Sequence, residues 1–251
     1  MKKGDIIWGI IVGLVIFLLF QLLNGEDTNS LTILAKSHPY IIGFLKVSIL
    51  ATLGEILALR IIKGNYEKPV GIVYKFIVWG FIGMTFTVVF DIFAKGVVGV
   101  MDSGLLPSAK KESTTYKFLF AFFTSAFMNI VFAPTFMAFH RITDTYIELG
   151  GGRLNKIKKV KLKEVVNNID WYGYLNFVVL KTIPVFWIPA HTITFLLPPQ
   201  YRVLTAAILS MVLGAILALS KTKKNTISHK SIAKWFIKKV KKLWKMNKYI
   251  G

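Results

Sequence analysis

A chain of 251 residues that is 54% hydrophobic, 14% aromatic and only 18% charged, with mean hydropathy +0.57, excludes an ordinary water-soluble domain. The absence of cysteine excludes disulfides, thiolate catalysis and cysteine-ligated metal. A net charge of +20 would point a soluble chain toward nucleic acid, but only four of the 32 basic residues are arginine and most sit in loops and the tail, where they face anionic lipid instead.

Residues 6 to 24 form an unbroken apolar run behind Lys2 and Lys3. The run is longer than the apolar part of a secretory signal, and Gln21-Leu22-Leu23-Asn24 is a poor cleavage site, so it predicts an uncleaved first transmembrane helix. Gly9 and Gly13 on it would let a neighbour pack closely. A polar link follows, closing an N-terminal unit of residues 1–37. Spans are predicted over residues 39–62, 70–94 and 117–141, with a Gly, Ser, Lys and Pro-rich loop over 95–116. Residues 142–169 carry Gly150-Gly151-Gly152 and five lysines and read as a partly helical surface connection. A fifth segment starts near Trp171 and runs into a proline-rich stretch, and a sixth covers 201–220. The expected fold is all-α: a polytopic transmembrane bundle of six spans, with residues 38–220 as the helical membrane domain and 221–251 as a basic amphipathic tail.

Orientation follows from lysine and arginine. With six spans and a cytoplasmic N-terminus, 24 basic residues fall inside and six outside, the asymmetry of the positive-inside rule. A merely re-entrant fifth segment would put the eleven tail lysines outside. A multi-pass protein of the cell membrane, both termini cytoplasmic, is therefore expected.

The proline-rich stretch draws most attention. It contains Pro184, Trp187, Pro189, Thr194, Phe195, Pro198, Pro199 and Arg202. Each proline removes a backbone donor, so the fifth segment is expected to kink or break before the sixth. No acid lies between Trp171 and Ser220, so Arg202 either pairs with Asp91 or caps carbonyls freed by the prolines, guarding the outer mouth of any conduit. Ionisable groups inside spans face a partner or water. Glu55, Lys181, Lys46 and Asp91 allow two pairs, Glu55 with Lys181 and Lys46 with Asp91, read either as structural pairs or as a charged constriction. Small-residue stripes at Ala206, Ser210, Gly214, Ala218 and at Ala121, Ser125, Asn129, Ala133 read as packing seams or as the wall of a polar lumen.

Enzyme chemistry finds little footing. His140 and Asp144 are one residue short of an acyltransferase spacing, and no nucleophile accompanies them. An Arg141/Asp144 cluster closing the helix end is the plainer reading. His191 has no second ligand at metal spacing, and no cofactor motif occurs. The tail from Ser228 to Ile250 has eight lysines and no acid, with Lys234, Lys238 and Lys241 beside Trp235 and Trp244 at helical spacing. That pattern suits a helix lying on anionic headgroups better than a nucleic-acid arm.

The order of landmarks resembles the Mpv-seventeen/PMP-twenty-two family of small integral membrane proteins over roughly residues 38 to 220. His38-Pro39, Leu53-Gly54-Glu55, Gly80-Phe81-Ile82-Gly83, Phe132-Ala133-Pro134, Trp187-Ile188-Pro189 and Phe195-Leu196-Leu197-Pro198-Pro199-Gln200-Tyr201-Arg202 are similar to its motifs. Met84, Met128-Asn129 and Thr194 depart from its proline, Asp-Gln and Asn, and Leu213-Gly214 stands at its Trp-Asn. The resemblance implies a poorly selective channel or a stabiliser of the membrane. Residues and resemblance together lead to an expected passive permeation role for small solutes or ions, with a non-transporting structural protein as the alternative. The expected partners are the bilayer, anionic headgroups, small solutes or ions and a second copy of the chain, with no nucleic acid, cofactor or metal.

Overall fold

The computed structural model describes residues 3–24, 33 and 36–222. The lipid-binding tail expected around Lys234, Trp235, Lys238, Lys241 and Trp244 lies outside the described residues. Among those described there is no strand. Eight helices are named here: α1 Lys3–Asn24, α2 Pro39–Lys63, α3 Ile72–Asp102, α4 Thr114–Leu149, α5 Leu154–Ile157, α6 Leu162–Asn168, α7 Trp171–Leu196 and α8 Pro199–Thr222. Six of them, all but α5 and α6, are long and apolar enough to cross a membrane. Ile10, Phe17, Leu180, Val185, Ile193 and Ile216 face outward, as lipid-facing side chains do in a multi-pass membrane protein.

The starts and stops follow local chemistry. Pro39 opens α2, where its missing N–H costs nothing, and Gly64 closes it in the left-handed region at φ 79°. The Ser113 hydroxyl caps α4 by accepting from Tyr116 N at 3.1 Å, and Asp170 caps α7 by accepting from Gly173 N at 2.8 Å.

Contacts at the helix ends define an up-and-down bundle. Arg60 near the end of α2 grips Asp5 at the start of α1 through Nε and Nη2 at 2.9 and 3.1 Å. Thr222 at the end of α8 donates to Ile61 O, so the described ends of the chain share one end of the bundle, called here the Lys75 end. Arg202 at the start of α8 lies over the rings of Phe120 on α4 and Phe195 on α7, which marks the opposite, Arg202 end. α2 and α3 pack extensively along their length. They cross at glycines: a Cβ on Gly83 would collide with the Gly43 carbonyl, and one on Gly80 with the Phe44 ring.

Several expectations need correction. α3 continues past Ala94 to Asp102, and α4 continues past Arg141 to Leu149, so Asp144 and Glu148 sit on a helix. Gly9 and Gly13 touch nothing and form no close seam within this chain. α1 is attached instead by Asp5, by Leu19 and by the Trp8 indole, which donates to Leu53 O at 3.2 Å. The fifth segment is not interrupted at Pro184 or Pro189, and its helix ends only at Leu196, before Pro198. α7 stays helical through Pro184 by winding as a π-helix from Tyr174 to Trp187, and returns to α-helix before Pro189. Wider winding removes the clash that proline makes with an α-helical turn. α4 has a shorter π turn, Met128–Phe132, just before Pro134.

Candidate functional site

The two π-wound stretches face each other across the bundle and set the polar groups at its centre. The π turn in α4 carries Asn129, which is 1% exposed. Its amide Nδ2 donates to Ser125 O at 2.8 Å and meets His191 Nδ1 at 3.0 Å, while Oδ1 is 3.2 Å from the same nitrogen. One tautomer of His191 accepts from the amide and the other donates to it. In both, Nδ1 is engaged and Nε2 is turned elsewhere. The Ser125 hydroxyl donates to Ile188 O at 2.7 Å, a second tie between α4 and α7.

Asn129 and His191 line a central cavity of about 270 Å³ between α3, α4, α7 and α8. His191 lies against Trp187 with ring centroids 5.0 Å apart, and His140 against Trp79 at 4.2 Å. Ala206, Ser210 and Gly214 form the α8 wall, so three of the four small residues of that stripe face space rather than a seam. A Cβ on Gly214 would meet nothing. Four buried polar atoms have no hydrogen-bond partner among the described residues and belong to side chains of this cavity: His140 Nε2, Asp144 Oδ1, Trp187 Nε1 and His191 Nε2. Buried polar groups are normally satisfied, and a cavity with several such atoms suits water or a small polar molecule.

Next to this cavity, at the Lys75 end, lies a cluster of charge. Lys75 is 5% exposed and its Nζ stands 2.6 Å from Glu55, 3.3 Å from Glu148 and 3.8 Å from Asp144. His140 Nε2 is 3.8 Å from Asp144. One ammonium thus faces three carboxylates. Arg141, Tyr174 and Val178 border both the central cavity and a third cavity of about 880 Å³ toward this end, where Glu148, Asp170 and Lys221 add charge. The Tyr174 hydroxyl donates to Pro134 O and holds α7 to α4 there.

At the Arg202 end a separate cavity of about 520 Å³ is lined by Lys46, Asp91, Pro199 and Arg202. Phe90 borders it on one side and stands 5.9 Å from the His191 ring on the other. Phe86, Phe90 and Phe195 stack into an aromatic layer between this cavity and the central one, with centroid distances of 5.7 Å for Phe86–Phe90 and 5.4 Å for Phe90–Phe195.

The expected ion pairs do not form. Glu55, about two turns before the end of α2, pairs with Lys75, about one turn into α3, while Lys181 is exposed on the lipid side of α7. Asp91 is exposed and pairs with Lys95 one turn along, at 2.6 Å, so it leaves Lys46 and Arg202 without its carboxylate. Of the two alternatives for Arg202, the capping one is seen. Nε donates to Leu197 O at 3.1 Å and Nη2 to Phe195 O at 3.3 Å. The Phe195 carbonyl would bond the amide of residue 199 in a continuing helix, and residue 199 is proline. Pro184 and Pro189 are exposed and Pro198 ends the turn, whereas Trp187 lines the cavity. Phe195 is 2% exposed in the core, and fully buried Thr194 donates to Ala190 O at 3.0 Å.

Lys75, Trp79 and Tyr174 join the site with no motif in the sequence to mark them, and His140 and Asp144 join it in a role other than the enzyme pair or helix-end cluster their spacing offers. Spacing was the available signal: His140, Asp144 and Glu148 recur every four residues, which is one face of a helix. No group of three His, Asp or Glu suited to a metal occurs among the described residues. Comparison with protein-family models, curated proteins and solved structures finds no match.

Proposed function

We propose that the protein is a passive conduit for small polar solutes or ions in the cell membrane, with its Lys75 end and both termini cytoplasmic. The central cavity carries this reading. A bundle that only braced a membrane would gain stability by packing that space dry, whereas here four buried polar atoms are left for an occupant. The path would run from the Lys46/Arg202 cavity, past Phe90, along the Ser210 and Gly214 face, to the cavity beside Arg141. Hydrophobic constrictions of the Phe90 kind gate pores by excluding water. The basic excess at the Lys75 end supports the orientation.

A second reading, a non-transporting protein that organises the membrane, draws on the aromatic layer of Phe86, Phe90 and Phe195, which separates the cavities. Flux from liposomes decides between them. Purified parent protein should release trapped ions and small metabolites faster than protein-free liposomes do. Gly214→Phe, which fills open space without a clash, should abolish the release while remaining folded. Release no faster than the protein-free rate from folded parent protein would favour the second reading.

A further inference from the structure

We infer that the cavity at the Arg202 end is a binding site for a phosphate group, presented by a lipid headgroup or by a soluble solute. Lys46 is the reason. It lies on α2 seven residues after Pro39, is 6% exposed, and has no ion pair or hydrogen bond among the described residues. A buried ammonium with no counter-charge is costly, and proteins pair such groups or use them. Lys46 lines a space of about 520 Å³, large enough for a tetrahedral oxyanion and part of what carries it.

The other groups on that wall match the same ligand. Arg202 reaches it from α8 with its guanidinium fixed in place, since Nε and Nη2 bond the Leu197 and Phe195 carbonyls and leave Nη1 without a protein partner among the described residues. A fixed guanidinium loses little freedom when it binds phosphate, and lysine adds a point charge beside it. Lys36 also lines the cavity, a third basic residue. The one acid there, Asp91, is engaged by Lys95. The wall therefore carries three basic residues to one acid, and Lys46 has no ion pair among the described residues. Seven residues place Lys46 roughly 10 Å along α2 from Pro39. Leu22, Leu23 and Val203 supply an apolar flank that suits an acyl chain. This site stands whether or not solute crosses the bundle.

The test uses the full chain purified in an uncharged detergent, with thermal unfolding as the readout. Inorganic phosphate and short-chain phosphatidylglycerol are titrated separately, against sodium chloride at matched ionic strength and short-chain phosphatidylcholine. A rise in Tm with phosphate assigns a soluble anion, and a rise only with phosphatidylglycerol assigns a lipid headgroup. Lys46→Met should weaken the apparent Kd about tenfold or more, the loss of one charged hydrogen bond, while Lys46→Arg retains it. Gln200→Glu, exposed on the same wall, supplies an internal carboxylate and should remove the response. Responses no larger than those to chloride and phosphatidylcholine, or a Lys46→Met or Gln200→Glu protein that responds like the parent, would overturn the assignment.

Discussion

Asn129 and His191, 62 positions apart in the chain, meet at 3.0 Å inside the bundle and hold two unusually wound helices together. Interhelical hydrogen bonds in membranes are worth less than their burial suggests, because the unfolded chain in lipid also finds partners. Asn129→Leu should therefore cost about 1 kcal/mol in detergent denaturation. It should also free the His191 ring, which loses its fixed nitrogen. A variant as stable as its parent would show that the pair only fills space.

Lys75 keeps three carboxylates together. Lys75→Met should leave Glu55 and Asp144 facing each other half-buried, at a cost of about 3 kcal/mol. Glu148 contributes little because its side chain is 60% exposed. Adding Glu55→Gln to Lys75→Met should recover part of the loss, measured as the denaturation midpoint of the double variant against the single one.

Two glycines should behave in opposite ways. Gly83→Leu forces a side chain into the Gly43 backbone, and should abolish the folded protein or reduce its yield severalfold. Gly214→Leu enters open space and should leave Tm within a few degrees of the parent. Size-exclusion profiles in detergent check both.

Arg202→Ala removes donors from the Leu197 carbonyl and from the Phe195 carbonyl, the latter left unpaired by Pro199. The expected loss is about 1 to 3 kcal/mol, the range for leaving buried polar groups unsatisfied. Arg202→Lys should recover little, because a single ammonium cannot span both carbonyls as the fork does.

Sidedness is directly measurable because the chain has no native cysteine. A cysteine replacing Ser108 should react with an impermeant thiol reagent on intact cells, and one replacing Gly251 should react only after permeabilisation. Labelling of the Gly251 position from outside would overturn the six-span arrangement.

The six spans were readable because each is a run of apolar residues about as long as a bilayer is thick, and that signal needs no knowledge of neighbours. Asn129 and Trp187 were also found, one by its place in a small-residue stripe, the other by its proline neighbours. The lysine cluster was harder. Glu55 and Lys75 are twenty positions apart on different helices, so their pairing depends on how α2 crosses α3 at Gly43 and Gly83. Lys75 lies inside an apolar run, Ile72-Val73-Tyr74-Lys75-Phe76-Ile77, so its charge marks a buried partner that the run alone does not identify. The π winding of α7 had no clear local signature. Prolines predict trouble for an α-helix, but whether the chain breaks, kinks or widens is decided by what packs around it.

That widening has a mechanical consequence. Between Tyr174 and Trp187 the helix holds more residues per turn than α-helical winding requires. If one π turn tightened to α, everything beyond it would rotate by about 100°, the angle one residue spans in an α-helix. Trp187 and His191 would swing off the cavity wall, and neighbours one position away, such as Ile188 beside Trp187, would turn in. The helix thus carries its own slack, and a quarter turn of one segment could act as a rotary shutter while its neighbours stay still.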